Sequence, residues 1–375
     1  MTSVAKDQDR AHLRRALALA RNGEGRVSPN PPVGAVVVSG SEVLGEGWHA
    51  ELGGVHGEVA ALADCRARGN DPAGATLFVS LEPCAHHGRQ PPCTEAILAA
   101  GIKRVVAGCD DPSTKAAGRG PGMLRDEGVE FTFADGAEAA ASRLLVQPFR
   151  KHARTAKPLV ILKSATSLDG YTATSAGDSK WISGPQSRAL AHLWRAHCDA
   201  IAVGISTALA DDPVLTARHV DEPGPRQPTR VVFDSRARLP LDSALLGTIE
   251  VAPVLVVITA AASPERADAL RQAGVELIEV SSDREHAVGE ALEELGRRDI
   301  TSLLLEGGAE LAGSFIDAAE VDELRRFIAP VLLGAGRPLA AGAGVERVGE
   351  AERALDLEAE RCGDDLLVRA RLREW

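Results

Sequence analysis

Two cysteines with eight residues between them, Cys84 and Cys93, sit in the stretch EPCAHHGRQPPC (Glu82 to Cys93), with His86, His87 and Arg89 in the intervening loop. Upstream, GGVHGEVAAL places His56 and Glu58 at the mouth of a helix. Such a stretch can be a disulfide loop, a metal site or a stiff surface turn. The six cysteines, at 65, 84, 93, 109, 198 and 362, are scattered along a long chain. That argues against a disulfide framework and gives ligand-like cysteines a metal reading first. A zinc that activates water needs three protein ligands, an open position, and a nearby carboxylate that does not bind the metal. His-x-Glu serves this, because one side chain turns to the metal and the other to the water and substrate. Cysteines that follow a strand and open a helix meet its positive end, which favours the thiolate.

These residues need elements that hold them. Leu13, Leu17 and Ala20 form a helical stripe that Asn22 and Gly23 stop. Val33 to Val38 and Glu42 to His49 read as two strands joined by a glycine-containing turn. EVAALADCRARG is a helix ended by Gly69, Thr76 to Ser80 a buried strand, Thr94 to Gly101 a helix, and Arg104 to Gly108 a strand. The pair GMLRDEG and VEFTF completes the half. The alternation predicts a mostly parallel sheet covered on both faces. QPFRKHARTAKP, basic and bounded by prolines, reads as the connection between domains, giving domains at 1–147 and 158–375 with a linker at 148–157. The second half alternates again, from LVILKSA through AIAVG, TRVVFDS, VLVVIT, VELIEV and SLLLEGG to a terminal strand near DLLVRARL. No fixed-period repeat is present.

The whole chain sets further bounds. It has 375 residues, 45% hydrophobic and 25% charged, with 3% aromatics, so its cores must be built from Ala, Val, Leu and Ile. A net charge of −11 disfavours a nucleic-acid partner, since such binding is dominated by basic contacts to phosphate. The N-terminal segment carries charge from Lys6 onward and has no apolar core of a secretory signal, and the longest apolar run is too short for a membrane span. A cytoplasmic protein with no membrane partner is expected.

HxE followed by PCxHxGxxPPC resembles the deaminase domain of the bifunctional riboflavin-biosynthesis deaminase–reductases, as do NPPVGAVVV (Asn30 to Val38) and GEGWH (Gly45 to His49). Zinc deaminases more often have Pro-Cys-x-x-Cys; the longer loop is part of this resemblance. The likeness runs from about Ala11 to beyond Pro330. It implies a cytidine-deaminase-like three-layer αβα domain followed by a dihydrofolate-reductase-like α/β domain. Carried over, His56, Cys84 and Cys93 hold one zinc and Glu58 shuttles protons. Asn30, His49, His86 and Arg89 bind the pyrimidine or its ribose phosphate. An amide can read a heterocycle edge and an arginine can meet a phosphate. The chain departs from the family at Val55 and Gly57, where the family reads PHAE, and at Gln90, where threonine is usual. Gly57 adds backbone freedom costing roughly 0.5–1 kcal/mol relative to alanine, and so is expected to loosen Glu58 slightly.

The C-terminal half lacks a G-x-G-x-x-G after a strand, so a standard dinucleotide fold is not indicated. Instead LLLEGGAELAGSFI (Leu303 to Ile316) offers a strand, Glu306, a Gly-Gly turn and a helix, whose free N–H groups suit a phosphate. LKSATSLDG, SKWISGP, STALADDPVLTAR, RVVFDS and PVLLG follow the order of the family's reductase domain, which uses NADPH. By this resemblance Ala165, Trp181, Thr207, Asp211, Ser235 and the run Gly308, Ala309, Glu310, Leu311, Ala312, Gly313 and Ser314 line the cofactor. Lys163, Ser179, Arg195, Leu215, Arg218 and Glu306 line the substrate, with Arg218 and Arg195 at its 5′-phosphate. Arg337 receives no role. The implied substrate is a small phosphoribosyl pyrimidine, and a homo-oligomer is compatible with the likeness. Two other readings stand beside this one. One is a nucleoside or tRNA-base deaminase joined to an unrelated α/β domain; the other is a zinc-stabilised regulatory protein without catalysis. The acidic charge disfavours tRNA, the long loop disfavours both base and nucleoside, and Glu58, which zinc binding does not need, disfavours a non-enzyme.

Overall fold

The computed structural model describes residues 3–88, 90–114, 116–218 and 226–375. The chain divides into two compact units, residues 1–155 together with Trp375, and residues 156–374. Residues 148–157, expected as a connection, are helical up to Thr155, and the division falls after that residue.

The first unit contains strands β1 (Gly34–Ser39), β2 (Glu42–Trp48), β3 (Thr76–Val79), β4 (Arg104–Ala107) and β5 (Glu130–Phe133). Its helices are α1 (Ser3–Ala20), α2 (Gly57–Ala67), α3 (Cys93–Ala99), α4 (Arg119–Asp126), α5 (Gly136–Leu145) and α6 (Gln147–Thr155). The sheet runs β2-β1-β3-β4-β5. Strands β3, β4 and β5 are parallel, but β1 pairs antiparallel with both β2 and β3. The mostly parallel sheet read from the alternation is therefore mixed. A strand pair joined by a tight turn has to be antiparallel, and only the β-α-β crossovers after it give parallel neighbours.

Alternation along the strands divides the core into two layers. Ala35 and Val37 join Leu77, Val79, Val105 and Ala107 beneath Leu62, Cys65, Ile97 and Leu124 of α2, α3 and α4. Val36 and Val38 face the other way with Phe78 and Val106, against Leu13, Ala16 and Leu19 of α1. Helix α2 lies unusually close to β2. A Cβ on Gly47 would come within 2.3 Å of the Ala61 nitrogen, and one on Gly45 within 2.4 Å of the Cys65 nitrogen. The glycines of GEGWH therefore set the seat of the helix that carries His56 and Glu58.

The second unit holds β6 (Leu159–Thr166), β7 (Tyr171–Thr174), β8 (Ala200–Gly204), β9 (Thr229–Phe233), β10 (Val254–Ile258), β11 (Glu276–Glu279), β12 (Ser302–Leu305), β13 (Glu323–Ile328), β14 (Gly336–Pro338), β15 (Asp356–Cys362) and β16 (Asp365–Arg371). Its helices are α7 (Pro185–His197), α8 (Ile205–Asp211), α9 (Ala244–Gly247), α10 (Pro264–Gln272), α11 (Arg284–Arg297) and α12 (Ala309–Asp317). Nine strands form one sheet in the order β11-β10-β9-β8-β12-β6-β13-β16-β15, and β14 pairs with β7. The sheet is parallel from β11 to β13, and the β15–β16 hairpin adds antiparallel at one edge. The strand expected near DLLVRARL is β16. Val160, Leu162, Ala202, Val257, Leu303 and Leu305 pack against Ala291, Leu292 and Leu295 of α11 and Phe315 of α12. Among the described residues no helix is long and apolar enough to cross a membrane.

Candidate active sites

The first site is built where α2 and α3 begin. His56 is the N-cap of α2 and Glu58 lies in its first turn; Cys93 opens α3. One donor atom from each of His56, Cys84 and Cys93 lies within 4.8 Å of the others, the one such His/Cys/Asp/Glu group among the described residues. His56 Nδ1 is 3.2 Å from Cys93 Sγ and 3.6 Å from Cys84 Sγ. A tetrahedral zinc with nitrogen at ~2.0 Å and sulfur at ~2.3 Å requires N···S edges of about 3.6 Å. The donor set fits that ion. The backbone N–H of Cys93, at the helix start, donates to Cys84 Sγ at 3.3 Å. Donation from Cys93 and from His56 pulls the Cys84 thiol down to about 4, while the Cys93 thiol, which shares that contact and is more deeply buried, is driven up.

Glu58 is 3% exposed. Burial, reinforced by the charge on Cys84, pushes its carboxyl up to about 7. A carboxyl buried beside these three ligand atoms is placed to take a proton from water and return it. Gly57 does not leave it loose. A Cβ there would meet the Val33 carbonyl oxygen at 2.6 Å, so the first turn of α2 is pressed onto the segment entering β1.

Asn30 and His49 form one wall. His49 Nδ1 donates to the Val55 carbonyl at 2.9 Å, which leaves Nε2 as an acceptor for Asn30 Nδ2 at 3.2 Å. The His49 ring stands edge-on to His56 with centroids 5.3 Å apart, and burial lowers its pKa. His86 Nδ1 is buried without a hydrogen-bond partner, a free polar atom of the kind a ligand satisfies. Gln90 donates to the Gly53 carbonyl at 3.0 Å, bridging the cysteine loop to the turn before α2. Arg89 lies outside the described residues. His87 is solvated, and Cys65, Cys109 and Cys198 are buried free thiols.

The second site lies in the second unit, at the carboxyl ends of β6, β8 and β12. A cleft of ≈ 400 Å³ is lined by Lys163, Ala165, Ser179, Trp181, Arg195 and Thr207, and by Asp211, Arg218, Glu306, Gly308, Ala309 and Ala312. A second cleft of ≈ 850 Å³ is lined by Ser235, Glu310, Leu311 and Ser314, and it shares Thr207, Gly308, Ala309 and Arg337 with the first. Leu215 and Gly313 line neither. Leu215 is buried in the irregular segment after α8 at φ 53°, and Gly313 packs on the backbone of Ala341 and Gly342. The Gly-Gly turn is required by shape. Gly308 takes φ 85°, and a Cβ on it would stand 3.2 Å from Thr207 Oγ1, so only glycine keeps the N-terminus of α12 open to both clefts. Two adjoining clefts with a helix N-terminus between them, and Ser281 Oγ buried without a partner in the larger one, fit a dinucleotide.

Glu306 is the electrostatic centre of the smaller cleft. It accepts from Arg195 Nε at 2.6 Å and Nη2 at 2.8 Å, and Lys163 Nζ stands 3.8 Å away. Burial alone would raise its carboxyl; the charges of Arg195 and Lys163 overcome that and bring it to about 2. His192 and Arg188 also line this cleft, as does Arg337, and none was singled out from the sequence. For the first two a signal was there to use: Arg188, His192 and Arg195 recur at four and three residues along α7, one face of a helix. At the mouth, Trp181 is 74% exposed and carries the Arg188 guanidinium 4.6 Å above its ring.

Two family models match the chain: "RibD C-terminal domain" over residues 158–368 and "Cytidine and deoxycytidylate deaminase zinc-binding region" over residues 6–109. The riboflavin biosynthesis protein RibD of Actinobacillus pleuropneumoniae is 37% identical over 364 residues, spanning 96% of this chain and 94% of the relative. Acinetobacter baumannii RibD, form 1, superposes with a TM-score of 0.85 at 35% identity, covering 98% of this chain and 100% of the other. A diaminohydroxyphosphoribosylaminopyrimidine deaminase/5-amino-6-(5-phosphoribosylamino)uracil reductase from Thermotoga maritima gives 0.85 at 34% identity, covering 98% and 100%.

Proposed function

From the premise that this chain belongs to the RibD family of riboflavin biosynthesis, whose members join a zinc-dependent deaminase to a reductase, we propose which residues carry each step and in what order. The chain is a bifunctional enzyme, its first unit cytidine-deaminase-like and its second dihydrofolate-reductase-like in fold. The domains are taken as 1–147 and 158–375, with 148–157 between them. The substrate is 2,5-diamino-6-(5-phosphoribosylamino)pyrimidin-4-one. It is deaminated first, and its ribosyl chain is then reduced with NADPH to give 5-amino-6-(5-phosphoribitylamino)uracil.

In the first step His56, Cys84 and Cys93 hold the zinc. When bound, that ion supplies a Lewis acid that makes water nucleophilic near neutrality. Glu58, buried beside it, takes the proton of the attacking water, delivers it to the ring nitrogen, and assists departure of ammonia. Asn30 reads the edge of the heterocycle, with its amide oriented by His49, and His86 offers its unpartnered nitrogen. Arg89 is assigned to the phosphate.

In the second step the cofactor supplies the hydride, and the chain's work is to position the ribosyl carbon against it. Thr207, Ser235 and the start of α12 carry the cofactor. Lys163 and Glu306 orient the sugar hydroxyls and stabilise the opened imine, and Arg218 and Arg195 take the 5′-phosphate. A cytoplasmic location and self-association belong to the same reading. The observation that carries the proposal is the His56–Cys84–Cys93 group with Glu58 buried next to it.

The test starts the purified zinc-loaded protein on the undeaminated substrate and follows NADPH oxidation and ammonia release together. Both signals, abolished together by a zinc chelator, support sequential action with deamination first. Ammonia without NADPH loss overturns the reductase assignment, and the absence of both overturns the reading as a whole.

A further inference from the structure

We propose that His192 is a positioning residue of the reductase site, holding the backbone of Arg218 so that this arginine is aimed at the substrate's phosphate. The inference rests on the reading of Arg218 as a phosphate ligand. Residues 212–218 belong to no helix or strand; Leu215, Thr216 and Ala217 are buried, so their backbone groups need partners from elsewhere, and the exposed Arg218 that ends the run has one as well. Those partners are side chains. The Arg218 N–H donates to His192 Nδ1 at 3.3 Å, and the Thr216 carbonyl accepts from Arg195 Nη1 at 3.3 Å. Ala217 is clamped twice by Gln227, whose Oε1 accepts from its N–H at 2.9 Å and whose Nε2 donates to its carbonyl at 3.0 Å. Three consecutive residues are thus fixed by three side chains, and His192, which also hydrogen-bonds to the Thr216 backbone, is the one that holds the last of them.

The chemistry of that contact is specific. A backbone N–H has its hydrogen in a fixed place, so Nδ1 must be the acceptor and the ring proton must sit on Nε2. A protonated imidazole could not accept. Burial together with the positive charges of Arg195 and Arg218 holds the imidazole down at about 4, so it stays neutral through the physiological range. The opposing charge of Glu306 is spent on Arg195 and Lys163. The helix beneath is itself anchored. Asp365, buried in β16, accepts from the Gly184 N–H at 2.8 Å and from Ser187 Oγ at 2.5 Å, which fixes the start of α7. Trp194 stacks on Phe327 of β13 with centroids 5.2 Å apart, holding the far end. His192 therefore works from a rigid base onto an irregular one, and through Arg218.

The experiment uses the full-length zinc-loaded enzyme, NADPH and the deaminated substrate 5-amino-6-(5-phosphoribosylamino)uracil, alongside its dephosphorylated counterpart. His192→Leu keeps bulk and removes the acceptor; His192→Asn restores an acceptor on the same side-chain carbon. With the phosphorylated substrate, His192→Leu is expected to raise KM roughly tenfold with kcat within about twofold, and His192→Asn to recover most of that loss. Because His192 also lines the cleft, some effect is expected with the dephosphorylated substrate too, but the rise in KM caused by His192→Leu should be several-fold smaller there than with the phosphorylated one. Ammonia release from the undeaminated substrate reports that each variant is folded in its first unit, and NADPH binding reports the second. Arg218→Ala separates the two layers of the argument. If it leaves KM for the phosphorylated substrate unchanged, the phosphate reading fails. If it raises KM while His192→Leu does not, or if His192→Asn is as poor as His192→Leu, the positioning role is overturned and the phosphate reading stands.

Discussion

Replacing Glu306 by glutamine should destabilise the second unit by an amount the structure sets. The carboxyl is buried, accepts two hydrogen bonds from Arg195, and has Lys163 nearby, so it ionises at about 2 against an ordinary 4.5. At 1.36 kcal/mol per pH unit the difference is about 3 kcal/mol in favour of the ionised form. Glu306→Gln keeps the shape and one acceptor but leaves two cations facing an uncharged amide. Breaking one side of a buried pair costs about 3–5 kcal/mol, which agrees. For a unit of this size each kcal/mol moves the melting temperature by about 2–4 °C, so a fall of roughly 6–12 °C is expected at pH 7.5. The sign of the pH dependence follows from the depressed value. The contribution is complete above the unfolded carboxyl's 4.5 and is lost as pH falls through about 2. The gap between parent and variant, followed by calorimetry, should therefore be constant from pH 7.5 to 5 and narrow below 4.5. A variant that melts within 2 °C of the parent at pH 7.5, or a gap that is indifferent to acid, refutes the electrostatic account of this site.

Other perturbations separate the two units. Glu58→Gln should retain one zinc per chain by elemental analysis while ammonia release falls at least about 10²-fold, because the carboxylate moves protons and does not hold the metal. Gly47→Ala forces a methyl to within 2.3 Å of the Ala61 nitrogen, so α2 must shift. At about 1–3 kcal/mol of overpacking, deamination should fall while reduction of the deaminated substrate is unchanged; equal rates of deamination would show that the seat of α2 does not matter. Removing zinc with a chelator should abolish ammonia release and leave NADPH oxidation on the deaminated substrate intact, a result that loss of both activities would contradict.

The two sites differed in how far they could be read from the chain alone, and the reason is physical. The proposed zinc ligands lie between His56 and Cys93, on two helix starts separated by one strand. Short-range order therefore carries the geometry, and residue type carries the chemistry. The mixed sheet was not legible in the alternation of strand and helix: the β1–β2 pairing follows from the tight turn, but the antiparallel β1–β3 pairing follows only from the strand order. The proposed reductase site is assembled from β6, α7, the segment after α8 and the turn before α12, which only the sheet order brings together. No spacing rule reaches across that distance, so its residues were legible chiefly through resemblance. Resemblance assigned Leu215 and Gly313 to the lining; in the structure Leu215 is buried and Gly313 packs closely on Ala341 and Gly342. It left out His192, although a period of three to four along RALAHLWR was available and would have put that ring on the same face as Arg195. The side chains that touch ligand draw notice by type. Those that hold the touching side chains in place become visible only when each backbone N–H of an irregular segment is asked where its hydrogen goes, and at Arg218 the answer is His192.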